Sequence, residues 1–319
     1  GLPTTAACPE YSYLPARHAT VVERLVQSGA IVLGKTNLDQ FATGLVGTRT
    51  PYGICSSVFD SRYVSGGSSS GSAVALAKGQ VAFSLGTDTA GSGRVPAMFN
   101  ALVGVKPTRG MLSTRGVVPA CRALACVSIF ARNLADAELL LEVAAGFDAD
   151  DSFSRERVAV SSLGDARLRL AVPRPEDLEF FGDHENAELF MAAVERAKGL
   201  GAEITRFDLA PFREAAALLY AGPWVAERLT TVAELLARKP EAIHPVVRGI
   251  CEGGRGYGAD ATFRALYRLG ELRLQAAPVL ASCDALLLPT APSHYTIQEV
   301  LDNPLELNAR LGTYTNFVH

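Results

Sequence analysis

Residues 66–94 read GGSSSGSAVALAKGQVAFSLGTDTAGSGR. Two glycine- and serine-rich loops, Ser65–Gly71 and Thr87–Arg94, enclose an alanine-rich helical stretch, Ser72–Gln80, and a strand-like one, Val81–Gly86. Loop, helix, strand and loop in this order belong to an α/β chain. Each loop sets serines among glycines, which lack a Cβ and let the backbone approach a partner closely.

The pattern continues in both directions. Upstream, Ala19–Ser28 has helical spacing and stops at Gly29, and Ala30–Leu33 predicts a short buried strand. Leu38–Thr43 predicts a turn of helix before another glycine-rich loop. Downstream, helices are predicted at Asp136–Ala145, His184–Leu200 and Asp260–Ala277, with Asp260 as N-cap and Pro278 just past the end. Phe212–Ala237 reads as mostly helical, broken at Gly222-Pro223. Strands are predicted at Arg167–Val172, Glu203–Phe207 and Ala285–Leu288. The alternation predicts one α/β/α domain over 1–319, with a mixed, largely parallel central sheet. The acidic, polar stretch Phe147–Arg157 (FDADDSFSRER) is the best candidate for an internal hinge.

A chain of 319 residues that is 48% hydrophobic, with mean hydropathy +0.17, has ample material for a core. A net charge of −3 and scattered basic residues argue against nucleic acid or an anionic membrane as partner. No apolar run approaches the ~20 residues of a membrane span. The start, Gly1-Leu2-Pro3-Thr4-Thr5, has no secretory pattern and no Met, so a processed start or a longer parent polypeptide is expected. The six cysteines include no Cys-x-x-Cys pair and no histidine at ligand spacing, so free thiols, no metal and a cytoplasmic location are expected.

Two short motifs are set aside. Residues 29–36 (GAIVLGKT) match the phosphate-loop string, but a helix precedes Gly29 and the intervening AIVL reads as a strand. Gly67-Ser68-Ser69-Ser70-Gly71 matches the Gly-x-Ser-x-Gly elbow, which would make Ser69 the nucleophile. That elbow needs a preceding strand and a downstream acid and histidine; His184, His244 and His294 have no recognisable oxyanion partner.

The longer pattern decides the reading. The stretch 66–94, with Arg94-Val95-Pro96-Ala97, Gly104-Val105-Lys106-Pro107-Thr108, Gly116-Val117-Val118-Pro119 and, upstream, Lys35-Thr36-Asn37 and Phe41-Ala42, resembles the amidase signature family over nearly the whole chain. The resemblance implies amide hydrolysis by a Ser–cis-Ser–Lys relay without metal or organic cofactor. It implies Ser92 as nucleophile and Ser68 as the bridging serine, with the N–H groups of Thr89, Ala90, Gly91 and Ser92 as candidates for the oxyanion hole. Asp88 and Arg94 are expected to hold the loop, and Lys35, Lys78 and Lys106 to be structural. The family's catalytic lysine precedes the segment matching Gly1–Thr5, so the 319 residues alone are expected to be nearly inactive and the domain incomplete at both ends.

Within the family, Thr114–Arg122, Cys126–Phe130, Tyr220–Arg228 and Arg310–Val318 resemble the allophanate-hydrolysing branch. That resemblance implies a small anionic amide as substrate, a homodimer, and a pocket made by Tyr220, Arg228 and Gly44. The alternatives are a biuret or malonamate amidase, a subunit of the amidotransferase that feeds ammonia to charged tRNA, or a non-catalytic scaffold that lacks the lysine. An arginine suits a carboxylate because its guanidinium offers a planar fork of donors.

Overall fold

A computed structural model describes residues 1–156 and 167–318. Its helices and strands run α1 (Thr20–Gln27), α2 (Ser70–Ala77), β1 (Ser84–Thr87), α3 (Val95–Phe99), β2 (Val103–Val105), β3 (Val127–Ala131), α4 (Leu134–Ala144), β4 (Arg169–Pro173), α5 (His184–Gly199), β5 (Glu203–Phe207), α6 (Ala210–Tyr220), α7 (Trp224–Glu227), α8 (Leu229–Arg238), α9 (Pro245–Gly253), α10 (Ala259–Ser282), β6 (Ala285–Leu286), α11 (Ile297–Asp302) and α12 (Glu306–Leu311). The fold is α/β. Strand directions are mixed but sorted into two sheets: β1-β3-β2 is antiparallel, and β5-β4-β6 is parallel.

Each sheet is buried on both faces. In β3 every residue is buried: Val127, Ile129 and Ala131 face α1 and α4, while Phe130 packs on Ala73 and Leu76 of α2. Alternate residues of a strand point to opposite faces, so a strand covered on both sides reads as a continuous apolar run. In β4, Ala171 faces Phe212 and Val279, whereas Val172 faces Phe190 and Val194 of α5. Three further apolar clusters draw residues from both sides of 147–157; one joins Val46 to Leu311, another Phe41 to Val247. No helix among the described residues is long and apolar enough to cross a membrane.

Three local expectations are corrected. Ala30–Leu33 is extended but pairs with no strand among the described residues, and Ile31 is 83% exposed; a β-branched run makes a strand only where a neighbouring strand receives its backbone. Lys35, just past it, donates to the Leu2 carbonyl and the Thr4 hydroxyl, and the next helical turn is the short one at Gln40–Ala42, within the expected Leu38–Thr43. In α10, Gly258 rather than Asp260 is the N-cap, and Pro278 lies inside the helix. The final turn persists past the proline because Val279 and Cys283 pack against Ala171 and Leu286.

The acidic stretch 147–157 clamps where a hinge was expected, over its described part, 147–156. Asp148 and Asp151 are buried. Asp148 Oδ2 accepts from Thr20 Oγ1 and Ser113 Oγ, both at 2.6 Å, and from Arg115 Nε at 3.1 Å; Asp151 Oδ2 accepts from Thr114 N at 2.6 Å. Polar residues that bury their carboxylates among donors tie the chain down, and composition alone does not separate that case from a solvated loop.

Candidate active site

The loop after β1 is organised by one carboxylate. Asp88, fully buried, accepts from Gly91 N at 2.7 Å and Gly93 N at 3.0 Å, and takes both arms of Arg94 at 2.8 and 2.9 Å. Burial by itself would push the Asp88 carboxyl up, but the Arg94 guanidinium and the Gly93 amide outweigh it and hold it below the usual carboxylate range. Arg94 also donates to the Thr315 carbonyl at 3.2 Å, and Thr315 Oγ1 donates to the Ala90 carbonyl at 2.6 Å. Gly91 sits at φ +140°, and a Cβ there would overlap the Thr315 hydroxyl, so this position admits only glycine. Asp88 and Arg94 are therefore loop-holding residues. Because Gly91 N–H is engaged by Asp88, the N–H groups of Thr89, Ala90 and Ser92 are the members of the expected set without a hydrogen-bond partner among the described residues.

The other serine loop lies alongside. The Gly67–Ser68 peptide is cis. Ser68 is buried, its carbonyl accepts from Asp39 N at 3.0 Å, and its Oγ has no partner among the described residues. Ser92 Oγ donates to the Gly44 carbonyl at 3.4 Å. A direct Ser68–Ser92 hydrogen bond is thus not formed here, because the Ser92 hydroxyl is turned toward Gly44. Ser69 is engaged with Thr87, accepting from its N–H at 3.2 Å and donating to its carbonyl at 3.3 Å. No strand precedes it among the described residues, so the elbow reading of Ser69 fails on both counts.

The Tyr220–Arg228 segment folds back onto the same loops. The chain breaks between α6 and α7 at Gly222-Pro223, as the sequence predicts, so Tyr220 ends one helix and Arg228 sits at the junction of α7 and α8. Leu219, Tyr220 and Trp224 pack against Ala90 of the Thr87–Arg94 loop. The break brings the Arg228 guanidinium carbon to 5.2 Å from the Tyr220 ring centroid. Arg228 is 2% exposed; its Nη1 donates to Thr43 Oγ1 at 2.8 Å, while Nε and Nη2 are buried without a partner among the described residues. The neighbouring Glu227 accepts from Ala123 N instead, so Arg228 is neither a surface residue nor one half of a local ion pair. Thr43, which touches Arg228, is followed at once by Gly44, which touches Ser92.

The amidase family model matches residues 1–318. The chain belongs to the amidase family. It is 47% identical over its whole length to urea amidolyase of Saccharomyces cerevisiae, of which it spans 18%. Selenomethionine-substituted allophanate hydrolase of Kluyveromyces lactis superposes with a TM-score of 0.95 at 46% identity, over 100% of this chain and 52% of that one. A glutamyl-tRNA(Gln) amidotransferase subunit from Thermotoga maritima gives a TM-score of 0.80 at 28% identity, over 99% of this chain and 71% of that one.

In this amidase, sequence reasoning missed the residues that tie the two loops together. Asp39 and Arg49 are fully buried and belong to no motif of their own. The one available signal was a carboxylate and an arginine within a segment rich in apolar residues and glycine. None of the five lysines has a described hydrogen bond to Ser68 or Ser92: Lys35 and Lys106 donate to backbone carbonyls, Lys78 caps α2, and Lys198 and Lys239 pair with glutamates. Among the described residues no three His, Cys, Asp or Glu side chains are grouped to hold a metal ion, and all six cysteines are free.

Proposed function

We propose that this chain carries the amide-hydrolysing centre of an allophanate-type hydrolase. Ser92 attacks the carbonyl carbon that bears the terminal amino group, and its proton passes through Ser68. The C–N bond breaks, and the nitrogen takes that proton and leaves as ammonia. Water then cleaves the acyl-Ser92 ester to a dicarboxylate. The amides of Thr89, Ala90 and Ser92 receive the oxyanion. Arg228 and Tyr220 hold the substrate carboxylate from one side, and Gly44 contacts it from the other. The relay needs a base, and among the described residues none of Lys35, Lys78, Lys106, Lys198 and Lys239 is hydrogen-bonded to either serine. The same reading includes a cytoplasmic homodimer, which sedimentation of the full-length protein tests.

One observation carries the proposal. Arg228 is a buried cation with two donors unsatisfied among the described residues, beside the nucleophile loop. A buried charge without a partner is costly, and a substrate carboxylate is the partner that removes the cost on binding. In the full-length protein, Ser92→Ala should abolish ammonia release from allophanate. Arg228→Ala should raise KM for allophanate far more than for a neutral amide of the same size. Equal losses on the two substrates would show that Arg228 supports the fold and does not read the carboxylate.

A further inference from the structure

Asp39 is fully buried, and backbone amides are its hydrogen-bond donors. Oδ2 accepts from Val46 N at 3.2 Å and Gly47 N at 2.9 Å, and Oδ1 accepts from Arg49 N at 2.9 Å. Its own N–H donates to the Ser68 carbonyl at 3.0 Å. Gly44 and Gly67 press on the same carboxylate: a Cβ on Gly44 would lie 2.6 Å from Oδ2, and one on Gly67 would overlap it. Arg49, held by Asp39 through its backbone, sends its guanidinium to the Thr43 carbonyl at 2.9 Å and the Pro304 carbonyl at 2.7 Å.

This one residue, through its backbone N–H and its carboxylate, is thus joined to both ends of the site. On one side its main-chain N–H holds the Ser68 carbonyl, and its carboxylate holds the loop 44–49 that presents the Gly44 carbonyl on which Ser92 rests. On the other it holds, through Arg49, the Thr43 residue that receives Arg228. Thr43 and Gly44 are adjacent, about 3.8 Å apart at Cα, so nucleophile and guanidinium are registered across a single dipeptide. Three converging charge-assisted N–H donors fix the orientation of the Asp39 carboxylate.

We propose that Asp39 is a positioning residue that fixes the serine pair relative to Arg228, and that this registration selects short amides whose carboxylate lies only a few bonds from the scissile carbonyl. The inference rests on the proposed function and names what that site measures. Asp39→Asn keeps the shape, but its amide nitrogen meets N–H donors on one side of the carboxylate and must release them. A shift of about 1 Å in such a frame costs on the order of 100-fold in rate.

The experiment compares the full-length protein with its Asp39→Asn variant on allophanate, on an anionic amide longer by two methylene groups, and on a neutral amide of allophanate's size. The expected result is a loss of about 100-fold in kcat/KM on allophanate and a far smaller loss on the longer anion, so that the preference for the short anion collapses. A uniform loss on all three substrates, or a lowered Tm with the preference intact, overturns the proposal. Should Asp39→Asn fail to fold, Arg49→Lys removes one of the two guanidinium arms and keeps the charge. It should shrink the same preference by a smaller factor, and an unchanged preference there counts equally against the proposal. Arg228→Ala in parallel separates the two readings. If it leaves the anion preference untouched, the carboxylate pocket is wrong; if it removes the preference while Asp39→Asn does not, only the registration is wrong.

Discussion

Arg94 and Arg228 are two arginines at one site with opposite fates. Arg94 grips Asp88 with both arms, and its remaining contact is a backbone carbonyl. Arg228 is more deeply buried, touches one hydroxyl and one ring, and leaves two nitrogens without partners among the described residues. A paired guanidinium commits its directionality to the loop it holds; an unpaired one keeps that directionality for a ligand. The same side chain is structure in the first place and, under the proposed function, a binding group in the second, and the counter-ion is what separates them.

The sharpest test of that contrast is Arg94→Met. It leaves Asp88 buried and uncompensated, and should cost about 3–5 kcal/mol of stability in denaturant melts. A cost below about 1 kcal/mol would mean that the pair holds nothing. Next in size, Arg228→Ala should raise KM for allophanate by roughly 100-fold, about 2.7 kcal/mol, in steady-state assays of the full-length protein. Arg228→Met should by contrast leave stability unchanged or raise it by about 1 kcal/mol, since it exchanges an unsatisfied buried cation for an apolar chain. A loss as large as that of Arg94→Met would erase the distinction between the two arginines. The smallest effect is in pH. Asp88 is held below the usual carboxylate range in the folded chain, so its contribution is complete above the unfolded aspartate value of about 3.9 and is lost as pH falls through the folded value. The stability gap between wild type and Arg94→Met should therefore narrow as pH drops below about 4, and a gap that widens there contradicts the assignment.

Much of the site was legible because glycine and serine are demanding residues. Gly91 must come against Thr315 and Gly67 against Asp39, so the loops that carry Ser92 and Ser68 announce themselves in composition. The break at Gly222-Pro223 was legible for the same reason, since proline ends a helix by covalent geometry. The acidic stretch 147–157 misled because charge pattern does not report burial, and the partners Thr20 and Ser113 lie 128 and 35 residues from Asp148. Ile31 and Leu33 misled in the opposite sense, since apolar residues remain exposed when no neighbouring strand receives their backbone.

By itself, then, the sequence determined the α/β alternation, the two serine loops and the family, all of which rest on local backbone demands and short spacings. Tertiary structure decided which charges are paired. Asp88 finds Arg94 six residues away, whereas Arg228 finds Thr43 across 185 residues and no carboxylate among its described partners. Asp39 meets the amides of one loop and the carbonyl of another only once both have folded around it. Electrostatic partners are chosen by distance in space, and a chain read in order does not contain that distance.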